Sequence, residues 1–127
     1  IVVTTPQAAA AEVAERSGLV ARQTGQSVIG VVENMAGLVQ PDGSVLDIFG
    51  SGGGADAAAR LSTPELPVTV LASVPLSVAL REGGDSGVPV VLSDPTDAAE
   101  RVILELAKSL ATRGRGLAGR KLGLSTR

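Results

Sequence analysis

The stretch SVIGVVENM, residues 27–35, carries an apolar run with no polar alternation. A strand with one wet face alternates, so this run reads as a strand buried on both faces, as in parallel sheets covered by helices. Working outward, IVVTTP (residues 1–6) is a second β-branched run ended by Thr5-Pro6. Thr5 as N-cap and Pro6 at the first helical position predict a helix through the alanines to about Arg22, weakened at Gly18 and closed by Gly25. Downstream, Ala36 to Ser44 reads as loop with a Pro41-Asp42-Gly43 turn, and VLDIF (45–49) as a hairpin-like arm. Gly50 to Gly54 lead into a short alanine-rich helix. Pro64 and Pro67 then bracket the turn into a third strand, VTVLASVP (68–75).

After Pro75 a helical turn, LSVALRE (76–82), is expected to stop at the glycines 83, 84 and 87, with VPVVL (88–92) as a further extended run. The last helix has the clearest pattern. Asp94 is its expected cap, Pro95 its first residue, and Asp97 lies in its first turn. Ala98, Ala99, Val102, Ile103, Leu106 and Leu110 form one stripe at spacings of three and four, and Arg101 is expected to pair with Glu105. Strand and helix alternate throughout, which predicts an α/β fold with a mostly parallel, doubly wound sheet.

The chain has 127 residues, 44% apolar but only 1% aromatic, with one Phe and no Trp, Tyr, Cys or His. Without Cys and His there is no zinc site of the usual ligand set, no cysteine-bound cluster, no thiol catalysis and no Ser-His-Asp chemistry. The lack of aromatics argues against base-stacking nucleic-acid modules, and no specific nucleic-acid partner is expected. Mean hydropathy is +0.32 with 19% charged residues, too apolar for a disordered chain. No apolar run is long enough for a transmembrane segment and no secretory signal is visible, so a cytoplasmic location is expected. The first residue is Ile1, not Met, and the natural N-terminus is expected elsewhere. Residues 1–112 carry a net −7 and residues 113–127 a net +5. That separates a body from a basic, Gly-rich tail, expected to be flexible and solvated.

Three places could carry chemistry. Gly50-Ser51-Gly52-Gly53-Gly54-Ala55 fits the G-x-G-x-x-G/A form of a dinucleotide loop. No acid lies about twenty positions on and no Lys-Ser/Thr follows, so these glycines are expected to let the loop approach neighbouring backbone and cap the next helix. Asn34 ends the second strand at the carboxyl edge of the sheet, where ligand crevices form. Its amide offers a donor and an acceptor to the N6/N7 edge of adenine, or else ties down the following loop through its own backbone. The third strand ends equivalently at Val74-Pro75-Leu76, so amide and apolar groups could converge there on a base. Thr4, Thr5 and Gln7 lie within reach of the same crevice, and Arg81 and Asp85 could form a local salt link.

Taken in order, IVVTTPQ (1–7), VIGVVENM (28–35), IFGSGGG (48–54), VPL (74–76) and LREGGDSGVPVV (80–91) resemble the C-terminal half of the Mrp family. These are P-loop ATPases related to MinD that carry and deliver iron-sulfur clusters. The likeness runs from residue 1 to about 110. It implies a partial P-loop NTPase fold over residues 1–112, with the Walker A loop and the Mg-binding acids in an N-terminal half that these residues do not include. It also implies ATP with Mg as cofactor and a weak ATPase in the full-length protein, while this segment alone should be inactive. Carried over residue by residue, the resemblance assigns adenine recognition to Asn34 and the apolar lining of the base to Pro75 and Leu76. It assigns no catalytic and no metal-binding residue to this chain. The sequence departs from the family where many members have C-x-x-C, since Gln40-Pro41-Asp42-Gly43 offers no thiolate, and an iron-sulfur cluster held by this loop is not expected. A homodimer, in which a second copy covers an exposed strand edge, and apo-protein clients are the implied partners. Two other readings share the fold: a non-enzymatic dimerisation or docking module, and a MinD/ParA-like partitioning ATPase.

Overall fold

A computed structural model describes residues 1–113. Its central sheet has three parallel strands in the order β1 (Val2–Thr4), β2 (Val31–Asn34), β5 (Val70–Val74). Val2 stands opposite Val31, and Asn34 opposite Val74. Between β1 and β2 runs α1 (Ala8–Gln23). Between β2 and β5 lie the antiparallel arm β3 (Leu38–Val39) and β4 (Val45–Leu46), then α2 (Gly53–Leu61). After β5 come α3 (Val78–Ser86), the single turn α4 (Val90–Ser93) and α5 (Ala98–Thr112).

The double-sided burial expected of the middle strand is present. Val31 is fully buried and Val32 nearly so, and consecutive strand residues face opposite sides. Val31 packs with Val2, Ala11, Ala14, Ala57 and Leu61 beneath α1 and α2. Val32 packs with Val74 and Ala99, against Leu71, Val102, Ile103 and Leu106, beneath α5. Helices therefore cover both faces of the sheet. The small size of the core residues lets helices sit close. Gly18 is buried in α1, and a Cβ there would strike the side chain of Leu61, itself fully buried. The glycine that weakens α1 in isolation is the one that admits α2.

Several local expectations are corrected. The first helix starts at Ala8, not at Pro6; the carbonyl of Gln7 accepts from the N–H groups of Ala10 and Ala11, and Thr5 donates to the Gln7 side chain instead of capping. The reason lies in α2: Gly53 packs so closely on the carbonyls of Thr5 and Pro6 that a Cβ would overlap them, so this backbone is committed to that contact. The strand read as 27–35 is only Val31–Asn34. Helix α3 does not stop at Gly83 but runs through both glycines to Ser86, because Gly83 lies flat against the Val88 carbonyl. Gly87, at φ +74°, ends it. VPVVL is not extended, since Val90–Ser93 forms a turn of helix that buries Val90 in the short link between α3 and α5.

The cap of α5 is Asp97, which accepts from the N–H groups of Ala99 at 2.8 Å and Glu100 at 3.3 Å. Asp94 instead closes the preceding turn, accepting from the Thr96 hydroxyl at 2.6 Å and its N–H at 3.0 Å. Glu105 pairs with Lys108 rather than Arg101, while the Arg81–Asp85 link is present at 3.1 Å. The basic tail beyond Arg113 lies outside the described residues. No helix among those described is long and apolar enough to cross a membrane.

Candidate functional site

The carboxyl ends of β2 and β5 meet in a small frame of backbone bonds. The Ala36 N–H donates to the Val74 carbonyl at 3.0 Å and the Leu76 N–H to the Gly37 carbonyl at 2.8 Å. These two bonds carry the ladder past the strand ends and lock the loop after Asn34 onto the segment after β5. Met35 takes a left-handed conformation, φ +59°, unusual for an unbranched bulky residue. The Asn34 side-chain oxygen accepts from its N–H at 2.9 Å and holds the turn. The backbone-tying role thus uses one lone pair of that oxygen. Among the described residues the Asn34 NH2 group has no partner.

Against this corner opens a groove of about 490 Å3, lined by Asn34, Met35, Leu38, Ile48, Leu76 and Leu80, with Ser77, Val78 and Arg81 of the α3 region along one side. Asn34 and Leu76 are brought together in it. Pro75 does not line it; the residue is buried. Asn34 also borders a second hollow of about 340 Å3, where Thr4 and Thr5 sit with Val3 and Val13. Gln7 is not part of its lining.

The close approach to neighbouring backbone expected of the glycine-rich loop is present. Gly52 is left-handed at φ +92° and Gly53 packs on backbone. The first amides of α2 need an acceptor, and Glu33 supplies one: its Oε1 accepts from the Gly54 N–H at 2.8 Å. A carboxylate from the neighbouring strand thus stands where a phosphate would bind. The local pattern does not reveal this. Its only trace is an acid at a strand end and a helix start with no side-chain cap of its own.

A second junction holds the far wall of the groove. Ser77 caps α3 by accepting from the Leu80 N–H at 2.9 Å, and its hydroxyl donates to Asp97 Oδ2 at 2.7 Å. Asp97 caps α5 with its other oxygen. One Ser–Asp pair therefore starts two helices and ties α3 to α5.

The arm β3–β4 pairs Leu38 with Leu46 and Val39 with Val45. Its tip is closed by Asp42, which accepts from the Ser44 hydroxyl at 2.6 Å and N–H at 2.9 Å. The Ser44 hydroxyl first, then its N–H, holds the Asp42 carboxyl below the usual value. Gln40 and Gly43 stand at this tip, and among the described residues there is no group of three or more Asp, Glu, His or Cys that could hold a metal ion. These residues do not fit an iron-sulfur cluster.

Known proteins share this sequence and this fold. A family model described as "NUBPL iron-transfer P-loop NTPase" (ParA) matches residues 1–111. The iron-sulfur cluster carrier protein of Mycobacterium tuberculosis is 54% identical over 125 residues, covering 98% of this chain and 33% of that protein. That of Synechocystis is 42% identical over 113 residues, covering 87% and 31%. The chain thus spans about a third of the length of these curated relatives. Among solved structures, the septum site-determining protein MinD of Pyrococcus horikoshii, complexed with Mg-ADP, superposes with a TM-score of 0.62 at 21% identity, covering 92% of this chain and 42% of that one. MinD of Pyrococcus furiosus gives 0.59 at 22% identity. The likeness to MinD is one of fold.

Proposed function

Because the chain belongs to the family of NUBPL iron-transfer P-loop NTPases, we propose that it is the C-terminal part of an ATP-dependent iron-sulfur cluster carrier and forms the adenine side of its nucleotide site. The observation that carries this is the placement of Asn34 and Leu76 in one groove at the carboxyl edge of the parallel sheet. An amide oxygen has two lone pairs. With one on the Met35 N–H, the other is free for the adenine N6 amine while the NH2 group donates to a ring nitrogen; guanine would face the same oxygen with its own carbonyl. Leu76 and the apolar neighbours replace water on the base.

Bound Mg-ATP supplies the phosphoryl group whose transfer to water powers the cycle. No residue of this chain is assigned to that step: α2 offers its N-terminus to Glu33, not to a phosphate. The cluster is cargo, and with no cysteine in the chain its thiolates come from elsewhere in the assembly. The test uses full-length protein purified anaerobically, assayed for iron and sulfide and for ATP against GTP affinity. Iron and sulfide in equal amounts, with an ATP preference that falls about 5- to 150-fold in Asn34→Ala, support the proposal. An unchanged ATP-to-GTP ratio removes Asn34 from the site, and protein free of iron removes the cargo.

A further inference from the structure

Arg81 is the one ionised side chain among the residues lining the groove. It is also the one planar group there besides the Asn34 amide. Base pockets commonly supply an aromatic ring for stacking, and this chain has a single aromatic, Phe49, which does not line the groove. We infer that Arg81 is a further base-binding residue whose guanidinium covers the open side of the bound base by lying flat against it, an inference that rests on the adenine reading of the groove.

The guanidinium is held for such a role. Its Nη1 donates to Asp85 at 3.1 Å and its Nη2 to Glu82 at 3.0 Å. Two carboxylates on two different nitrogens restrain the plane as well as the position. The backbone N–H of Arg81 donates to the Ser77 carbonyl, so the residue sits one turn into α3, at the helix end pinned by the Ser77–Asp97 bond. Its side chain is 63% exposed, which places it at the rim of the groove rather than in its floor. A delocalised, weakly hydrated cation favours a π face. The same two carboxylates argue against a phosphate contact: they outnumber the cation they hold, and a polyphosphate brought to Arg81 would meet Glu82 and Asp85 as well.

The test compares adenosine and ATP binding to full-length protein by calorimetry. Arg81 is exposed and its replacement leaves the core untouched. Arg81→Gln is expected to weaken both ligands alike, by about tenfold, and Arg81→Lys, which keeps the charge and loses the plane, to recover little of that. Adenosine affinity unchanged in Arg81→Gln overturns the inference. So does a loss confined to ATP, which marks a phosphate contact, or full rescue by lysine, which marks a point charge. The adenine reading fails separately: if Asn34→Ala keeps the wild-type ATP-to-GTP ratio, the groove is not the base site and the role of Arg81 falls with it.

Discussion

Replacing Asp97 by alanine should loosen two helices at once. The carboxylate accepts from the Ala99 and Glu100 N–H groups at the start of α5 and from the Ser77 hydroxyl at the start of α3. Loss of an N-cap costs about 1 kcal/mol. Loss of the hydroxyl's bond to a carboxylate adds about 1.5 kcal/mol. The expected destabilisation is therefore about 2.5 kcal/mol, read as a lower midpoint in urea unfolding of the full-length protein. Asp97→Asn keeps an oxygen for the Ala99 N–H but not the charge-assisted bond, and should cost roughly 1–1.5 kcal/mol. Ser77→Ala removes the α3 cap and the same shared bond. The double variant should thus be less destabilised than the sum of the singles, by about 1 kcal/mol or more. Additivity within about 0.5 kcal/mol refutes a shared cap. So does an Asp97→Ala protein as stable as the wild type.

Two further outcomes follow from single contacts. Gly53→Ala should destabilise by at least about 2 kcal/mol in the same unfolding assay, because its Cβ meets the backbone carbonyls of Thr5 and Pro6 rather than a side chain that can move; wild-type stability would show that the β1–α2 contact is not so close. The hydroxyls of Ser44 and Thr96, followed by their N–H groups, lower the carboxyls of Asp42 and Asp94 below their ordinary 3.8. A depressed folded-state value stabilises above the unfolded value and is lost as pH falls through the folded one. Stability should accordingly drop as pH is taken below about 3.8, and the drop should shrink in Ser44→Ala/Thr96→Ala. An unaltered acid profile in the double variant contradicts the assignment.

How far the sequence carries differs from element to element. The buried middle strand and the stripe of α5 are legible because both depend on periodicity within one segment, and Val31, Val32, Ala99 and Val102 face the core on that basis alone. The turn at Asp42-Gly43 is legible because Pro, Asp and Gly act on the backbone of adjacent residues. The helix starts are less so. Asp94-Pro95 and Thr5-Pro6 both look like strong starts, yet each helix begins later, since Asp94 finds Thr96 nearer at hand and Thr5-Pro6 is pressed by Gly53. VPVVL has the composition of a strand, but among the described residues no strand pairs with it, and a hydrogen-bonded helical turn satisfies its backbone instead.

Of the candidate site, the sequence by itself determined the family, the parallel α/β sheet and the position of Asn34 at a strand's carboxyl end, because motifs and apolar runs are written in consecutive residues. Tertiary structure alone decided that Leu76 rather than Pro75 lines the groove and that Arg81 stands at its rim. It also decided that Glu33 holds the amide of Gly54, 21 residues on, and that Asp97 holds Ser77, 20 residues back. The physical reason is that a hydrogen bond or a close backbone contact is a matter of ångströms between atoms, and chain folding brings those atoms together without leaving any periodic mark between them.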